Sequence, residues 1–193
     1  LSARADVALA AVVLGHAGVG VYSLAVAAAE VAAMPSAAIA AARYGNISGA
    51  DPGLAWRHAI SAAGSSVLWT IAAAGGLALA LPVLVPALVG EGYEATANAY
   101  LWLLPGVIAL AAGTPATTHV TNALGQPSLL LIPYSLNIAT TLSLGVLAMP
   151  EFGLTGAAGS ASAGNIVGSV SVWILARSRS RVIIAGLGAR HPV

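Results

Sequence analysis

Long apolar runs separated by short polar stretches dominate this chain. The runs are rich in Ala, Leu, Val and Gly and do not alternate at period two, so they favour helices over the strands of an outer-membrane barrel. All but the first run reach the ~20 residues that a helix needs to cross the hydrocarbon core of a bilayer. We predict an all-α, polytopic transmembrane bundle of about five full spans plus part of a sixth. The predicted helices cover residues 1–14 (partial), 19–42, 57–81, 95–120, 127–147 and 154–176, and residues 177–193 form an arginine-rich tail. In the last helix small residues recur every four positions, a ridge that predicts close packing against another helix: Gly156, Ser160, Gly164 and Gly168.

Composition supports the same class of protein. Hydrophobic residues make up 59% of the chain and charged residues 7%, against about 25% charged residues in soluble domains. All seven basic residues are arginines, and they form no broad basic stretch, so we expect no nucleic-acid partner. The chain has no cysteine, which excludes thiolate metal sites and cysteine nucleophiles. It begins inside an apolar segment, and we interpret it as a fragment.

A carboxylate in the middle of the second predicted helix is the strongest functional signal. Glu30 lies about 17 Å from a helix start near Val19, which is roughly the centre of a ~30 Å hydrocarbon core. Facing lipid, such a charge costs about 3 kcal/mol, so we predict that it faces the protein interior or a watery cavity. Ser23, seven residues earlier, shares its face of the helix. Pro35 follows and breaks the backbone bonding of the helix.

Other polar residues within the predicted spans extend this candidate cavity. Arg4 and Asp6 lie in the first helix on different faces, so they do not simply neutralise each other. They pair with other helices or face a substrate, and both interpretations stay open. Asn137 lies in the fifth helix. The candidate cavity residues are therefore Arg4, Asp6, Ser23, Glu30 and Asn137. His119 has no second histidine or acid at ligand spacing, so no metal site is predicted.

The charges of the predicted loops alternate along the chain. If the loop of Arg43 and Arg57 is cytoplasmic, the turn at 121–126 and the tail from Arg177 are cytoplasmic too. Glu91, Glu94 and Glu151 are then external, and six of the seven arginines lie at cytoplasmic helix ends. This distribution obeys the positive-inside rule. We assign Arg43, Arg57 and Arg177 to membrane orientation or to a cytoplasmic gate. We predict a multi-pass membrane protein with this orientation.

Four segments resemble a known transporter family. RADVALAAVVLGHAGVGVYSLAVAAAEVAAMPSAAIAAARYGNIS is similar to the opening of the second half of prokaryotic polysaccharide and O-antigen flippases. This family belongs to the superfamily that also contains lipid II flippases and multidrug exporters. LVGEGYEATANAYLWLLPG resembles the Gly-x-x-Tyr turn and next helix of the family. NALGQPSLLLIPYSLNI and FGLTGAAGSASAGNIVG resemble its last pair of helices. The chain is richer in Ala and Gly, and poorer in aromatics and lysine, than the usual family member.

The resemblance implies a two-lobed transporter of twelve to fourteen helices, of which this chain is the second lobe. Such a transporter moves undecaprenyl-pyrophosphate-linked oligosaccharides across the cytoplasmic membrane by alternating access. The implied location is therefore the cytoplasmic membrane of a bacterium or archaeon. The implied partners are this lipid-linked glycan, membrane lipids and the missing N-terminal lobe. No cofactor is implied, and the coupling ion, H⁺ or Na⁺, stays open. Arg4 is then expected to bind the pyrophosphate, with an ion pair to Glu30 or Asp6 as the competing interpretation.

Two alternatives to a glycan flippase remain. Glu30 and Asp6 are also compatible with cation-coupled multidrug export by the same fold. A non-transport membrane scaffold is the second alternative, although it does not need ionisable residues within its spans. The chain contains no G-x-S-x-G, H-E-x-x-H or P-loop motif, so we do not expect an enzyme.

Overall fold

The computed structural model describes residues 5–90 and 92–188, and the part of the chain that it describes is helical without any β-strand. Four long helices contain most of these residues. They are α1 (Ala5–Ser48), α2 (Pro52–Val89), α3 (Ala95–Thr118) and α4 (Leu131–Gly188). A short π-helical segment (His119–Ala123) and a 3₁₀ turn (Pro127–Leu130) connect α3 to α4. All four helices are long and apolar enough to cross a membrane.

Helix α1 reverses direction at a single glycine. Gly15 has φ 70° and ψ −177°, which is not helical and which a residue with a Cβ adopts only with strain. Asp6 and Tyr22 lie on opposite sides of Gly15, sixteen residues apart, and the Tyr22 hydroxyl donates a hydrogen bond of 2.7 Å to the Asp6 carboxylate. A straight helix would place these residues about 24 Å apart. The arms 5–14 and 16–48 therefore form an antiparallel hairpin, with its turn where the sequence predicts one.

Helix α4 reverses in the same way at Gly153, which has φ 56° and ψ −126°. The Asn137 amide donates to Asn165 at 3.0 Å, although 28 residues separate them. The arms 131–152 and 154–188 consequently lie against each other. The small residues of the second arm permit this approach. A methyl group at Gly164 would overlap Thr141 and lie 2.7 Å from the Asn137 carbonyl oxygen, so the glycine-rich segment serves packing, as the sequence predicts.

Several helix boundaries differ from the predicted ones. Helix α2 begins at Pro52 rather than 57, because the Asp51 carboxylate caps it by accepting bonds of 3.1 Å from the backbone N–H groups of Gly53 and Leu54. The predicted end of this helix at 81 is wrong, since α2 continues through Pro82 and Pro86 to Val89. Helix α1 likewise continues through Pro35 to Ser48. Transmembrane helices tolerate internal prolines when neighbouring groups satisfy the freed backbone carbonyls.

The predicted arginine-rich tail is not a separate element over most of its length. Residues 177–188 continue helix α4, and residues 189–193 lie outside the described part of the chain. Arg177, Arg179 and Arg181 are exposed on this extension. The predicted polar loop at 43–56 shrinks to residues 49–51, because Ser48 still lies in α1 and Asp51 already caps α2.

The bundle has two chemically different ends. At one end, Trp56 of α2 packs edge-on against Trp173 of α4 with ring centroids 5.3 Å apart, and the Tyr44 hydroxyl donates to Asn122 at 3.3 Å. This end, called the arginine end, carries all the arginines within the described residues: Arg43, Arg57, Arg177, Arg179 and Arg181. The opposite end, called the glycine end, contains both reversals, residues 90 and 92–94 of the connection from α2 to α3, and Glu151. Glu91, which the sequence predicts at the same end, lies outside the described residues. The separation of charge agrees with the predicted alternation of the loops.

Hydrogen bonds from polar side chains tie the helices together around a core rich in alanine. The Tyr100 hydroxyl of α3 donates to the Ala74 carbonyl of α2 at 3.0 Å. The Trp173 indole of α4 donates to the Ala112 carbonyl of α3 at 3.0 Å. Large apolar side chains face outward instead, among them Leu79 at 84% exposure and Leu88 at 80%. Such an outer surface suits a lipid environment.

Candidate functional site

A partly open cavity with polar groups on part of its wall lies between both arms of α1, α3 and both arms of α4. Its volume is about 180 Å³, which holds several water molecules. Its apolar wall includes Leu103, Val107 and Leu110 of α3. Its polar lining consists of two carboxylates, two amides and one hydroxyl, contributed by Asp6, Glu30, Asn137, Asn165 and Thr141.

The cavity lies near the middle of the predicted membrane. Asp6 precedes the reversal at Gly15 by nine residues, which corresponds to about 14 Å along the helix. Asn165 follows the reversal at Gly153 by twelve residues, or about 18 Å. Both depths are close to the centre of a ~30 Å hydrocarbon core. Polar groups at this depth are costly unless they face a protein interior or water, and the cavity provides such a place.

Hydrogen bonds from neighbouring helices fix the orientation of the polar lining. Buried Tyr22 donates its hydroxyl to Oδ2 of Asp6 at 2.7 Å. Asn137 donates to Oδ1 of Asn165 at 3.0 Å and accepts at Oδ1 from the Thr141 hydroxyl at 3.5 Å. The carboxylates offer acceptors and the amides offer both donors and acceptors. This set suits sugar hydroxyl groups or a small cation, two chemistries that the sequence also leaves open.

Three of the five predicted cavity residues come together here. Asp6, Glu30 and Asn137 all line the cavity, although they come from three separate helical arms. Glu30 is nevertheless exposed, so it borders the cavity without being enclosed in the protein interior. Ser23 is half-buried and lies outside this lining, because seven residues move it about 10 Å along the helix from Glu30. Arg4 lies outside the described residues. The predicted proximity of Arg4 to Asp6 or Glu30 therefore stays a prediction.

The predicted cavity residues did not include three residues of this site, Tyr22, Thr141 and Asn165. Asn165 lies within the segment interpreted as a packing ridge of small residues, and its amide is the signal that could have singled it out. An asparagine side chain within a membrane span usually forms a hydrogen bond with a neighbouring helix. Tyr22 gave no comparable signal, since tyrosine is common in apolar helices and its partner Asp6 depends on the reversal at Gly15.

A second cavity continues from the first toward the arginine end. It has a volume of about 190 Å³ and shares Leu110 and Asn137 with the first cavity. Its polar lining consists of Thr114, Thr117, Tyr134 and Ser169. The two cavities adjoin at these shared residues, between α3 and α4, and we call them together the polar path after the hydroxyl and amide groups that line part of each.

The predicted cytoplasmic arginines lie away from this path. Arg43 is half-buried, whereas Arg57 and Arg177 are exposed. None of the three lines either cavity of the path. Their position at one end agrees with a role in membrane orientation. Nothing in the described geometry places them at a gate.

His119 occupies a separate buried cluster at the arginine end. Its Nε2 lies 2.8 Å from the Ser180 hydroxyl, which itself donates to the Ala176 carbonyl. Nε2 is therefore the donor in this contact. Trp56 packs edge-on against the imidazole at 5.7 Å. Within residues 5–90 and 92–188, no three side chains of the metal-binding types approach each other as a metal site requires. The environment of His119 is that of a packing residue.

Comparison of the chain with protein-family models, curated protein sequences and solved structures gave no match.

Proposed function

We propose that this chain forms one lobe of a membrane transporter that flips undecaprenyl-pyrophosphate-linked oligosaccharides by alternating access. The observation that carries the proposal is the polar cavity of Asp6, Glu30, Asn137, Thr141 and Asn165 at mid-depth in an apolar bundle. A purely structural bundle gains nothing from carboxylates at this depth. A transporter requires polar groups there, because transport sites usually lie near the bilayer midplane.

The chemistry of the cavity suits the sugar portion of such a substrate. Asparagine amides and carboxylates form hydrogen bonds with hydroxyl groups, and the adjoining hydroxyl-lined cavity extends this surface toward the arginine end. The apolar α3 wall beside them is compatible with the lipid portion. At about 180 Å³, the cavity is smaller than the ~300–1,000 Å³ of typical ligand pockets. The proposal therefore includes a second wall, contributed by the other lobe.

Cation-coupled export is the second candidate, and one specific observation favours it. Asp6 and Glu30 come from different arms of α1 and line the same small cavity. Two carboxylates at one site favour a proton or a small cation over an anionic headgroup. A non-transport scaffold has no comparable support, because it leaves the polar path without a role.

Neutralising the cavity carboxylate tests whether transport uses this site. Glu30→Gln in the intact protein should leave the amount of folded protein unchanged and slow translocation. The matched control is Glu151→Gln, an exposed acid at the glycine end outside the cavity. The measurement is the rate at which a fluorescent lipid-linked oligosaccharide crosses proteoliposome membranes, normalised to folded protein. Equal rates for both variants and the unmodified protein would remove Glu30 from the transport site.

A second assay separates the two transport candidates. Vesicles containing the same protein are loaded with a cationic dye and exposed to Na⁺ or H⁺ gradients. Glycan translocation without dye movement supports the flippase. Dye efflux that follows the cation gradient and disappears in Glu30→Gln would favour the exporter instead. Absence of both activities in folded protein would contradict transport through this cavity.

A further inference from the structure

A groove on the outer surface at the arginine end is separate from the polar path. It lies between α2 and α4 and has a volume of about 350 Å³. Its lining is apolar and aromatic except for one cation, and consists of Trp56, Ile60, Ala63, Trp173, Ile174 and Arg177. It shares no residue with the cavities of the polar path.

The groove lies at the level where the hydrocarbon core meets the lipid headgroups. Trp173 follows the reversal at Gly153 by twenty residues, or about 30 Å, which is the thickness of the hydrocarbon core. Arg177 lies one turn farther out. Ile60 and Ala63 lie one and two turns deeper than Trp56 along α2. The tryptophans thus occupy the interfacial position that this residue prefers in membrane proteins.

The aromatic wall of the groove is fixed by the protein. The Trp173 indole donates to the Ala112 carbonyl at 3.0 Å. Trp56 packs edge-on against both Trp173 and buried His119, with ring centroids 5.3 and 5.7 Å apart. The side chains that face outward are apolar, with Ile60 49% and Ile174 66% exposed. The wall is therefore held in place before any ligand binds, which reduces the entropic cost of binding.

We propose that this groove binds one anionic phospholipid, with its phosphate at Arg177 and an acyl chain along Ile60 and Ile174. The guanidinium can bond two phosphate oxygens at once. A cation at the headgroup level above an apolar floor matches a molecule with a phosphate at one end and a hydrocarbon chain at the other. A soluble anion would contact only the arginine, and a purely apolar ligand would contact only the apolar floor of the groove.

Brominated lipids test this assignment, because bromine quenches the fluorescence of tryptophans that it contacts. In the intact protein, Trp56 and Trp173 are kept and every other tryptophan is replaced by Phe, which in this chain means Trp69 and Trp102. The protein is reconstituted into phosphatidylcholine vesicles that contain a small fraction of brominated phosphatidylglycerol or brominated phosphatidylcholine. We expect an enrichment of the anionic lipid of about fivefold, the factor typical of one arginine near a bilayer surface.

Variants of Arg177 identify the residue responsible. Arg177→Gln should reduce quenching by brominated phosphatidylglycerol to the level of phosphatidylcholine, whereas Arg177→Lys should retain part of the preference. The control Arg181→Gln removes an exposed arginine one turn farther along α4, outside the groove, and should retain the full preference. Equal quenching by both lipids, or an equal loss in Arg181→Gln, would overturn the proposal.

Two further outcomes assign the groove to another occupant. Replacing chloride by inorganic phosphate at constant ionic strength should leave the lipid preference unchanged, and its abolition would identify a site for free phosphate. Tryptophan fluorescence that neither brominated lipid quenches would mean that protein covers the groove, for example a second copy of this chain. Either result would contradict the phospholipid assignment.

Discussion

Two surfaces within the α4 hairpin behave in opposite ways. Where Gly156 and Gly164 of the second arm meet the first arm, the two arms approach so closely that a Cβ on either glycine would overlap atoms of the first arm. Beside this contact, Asn137, Thr141 and Asn165 leave open space and line the polar cavity. On the second arm, glycines form the tight surface and Asn165 borders the open one, whereas Asn137 and Thr141 of the first arm contribute to both.

Close packing at the glycines sets the positions of the polar residues that line the cavity. Gly164 lies directly against Thr141 and the Asn137 backbone, so the two arms are held at a fixed short distance. This distance allows Asn137 to reach Asn165 at 3.0 Å. A wider separation of the arms would break that bond. Glycine packing therefore determines the geometry of the candidate site without contributing a side chain to it.

Filling the tight surface should produce the largest effect. Gly164→Ala places a methyl group against Thr141 and the Asn137 carbonyl, and we expect a loss of about 3 kcal/mol, the upper part of the range for overpacked sites. The control is Gly64→Ala on α2, where a Cβ would meet nothing within 4 Å. We expect that change to be neutral or slightly stabilising. The measurement is the free energy of unfolding in detergent micelles for both variants.

Equal stability of the two glycine variants would contradict this account of the α4 hairpin. Translocation assays add a second difference between the two surfaces. We expect Gly164→Ala to lower both stability and lipid-linked oligosaccharide translocation. We expect Asn165→Ala to lower translocation and to leave stability nearly unchanged.

A smaller effect is expected at the first hairpin, where the change removes one hydrogen bond between the arms and leaves their apolar packing intact. Tyr22→Phe deletes the hydroxyl that donates to Asp6 at 2.7 Å, and we expect a loss of about 1.5 kcal/mol. Tyr44→Phe is the control, because its hydroxyl bond to Asn122 is longer, at 3.3 Å, and exposed. We expect a change below about 0.5 kcal/mol there. Thermal unfolding of both variants measures the difference, and equal losses would show that the Asp6 contact is not special.

Much of the helical bundle could be predicted from the apolar runs alone. The two reversals, near Gly15 and Gly153, were predictable because glycines interrupt the runs there, and the structure places both at positive φ. The start of α2 was also readable, since Asp51 followed by Pro52 is a capping signal that the prediction did not use. The prolines misled the prediction at 82 and 86, because propensity measured in soluble helices does not apply unchanged within a membrane.

The site was predictable only in part. The charge of Glu30 and the amide of Asn137 are visible in the sequence as polar groups within apolar runs. Their proximity to Asp6 and Asn165 depends on how two hairpins pack, which local pattern does not specify. Ser23 was predicted because it shares a helix face with Glu30. That face extends beyond the cavity, so a shared face does not ensure that both residues line it.

Water access to the cavity is the most direct test of whether these apolar helices border a hydrated polar site. The chain has no cysteine, so a single introduced thiol reports its own position, and thiol reagents react with the thiolate that forms in water. We would compare Asn165→Cys with Ile166→Cys, whose native side chain is 39% exposed on the outer surface at nearly the same depth. The account predicts rapid labelling of Asn165→Cys by a water-soluble reagent and slow labelling of Ile166→Cys in lipid vesicles. Faster labelling of Ile166→Cys, or no labelling of Asn165→Cys, would contradict a hydrated cavity.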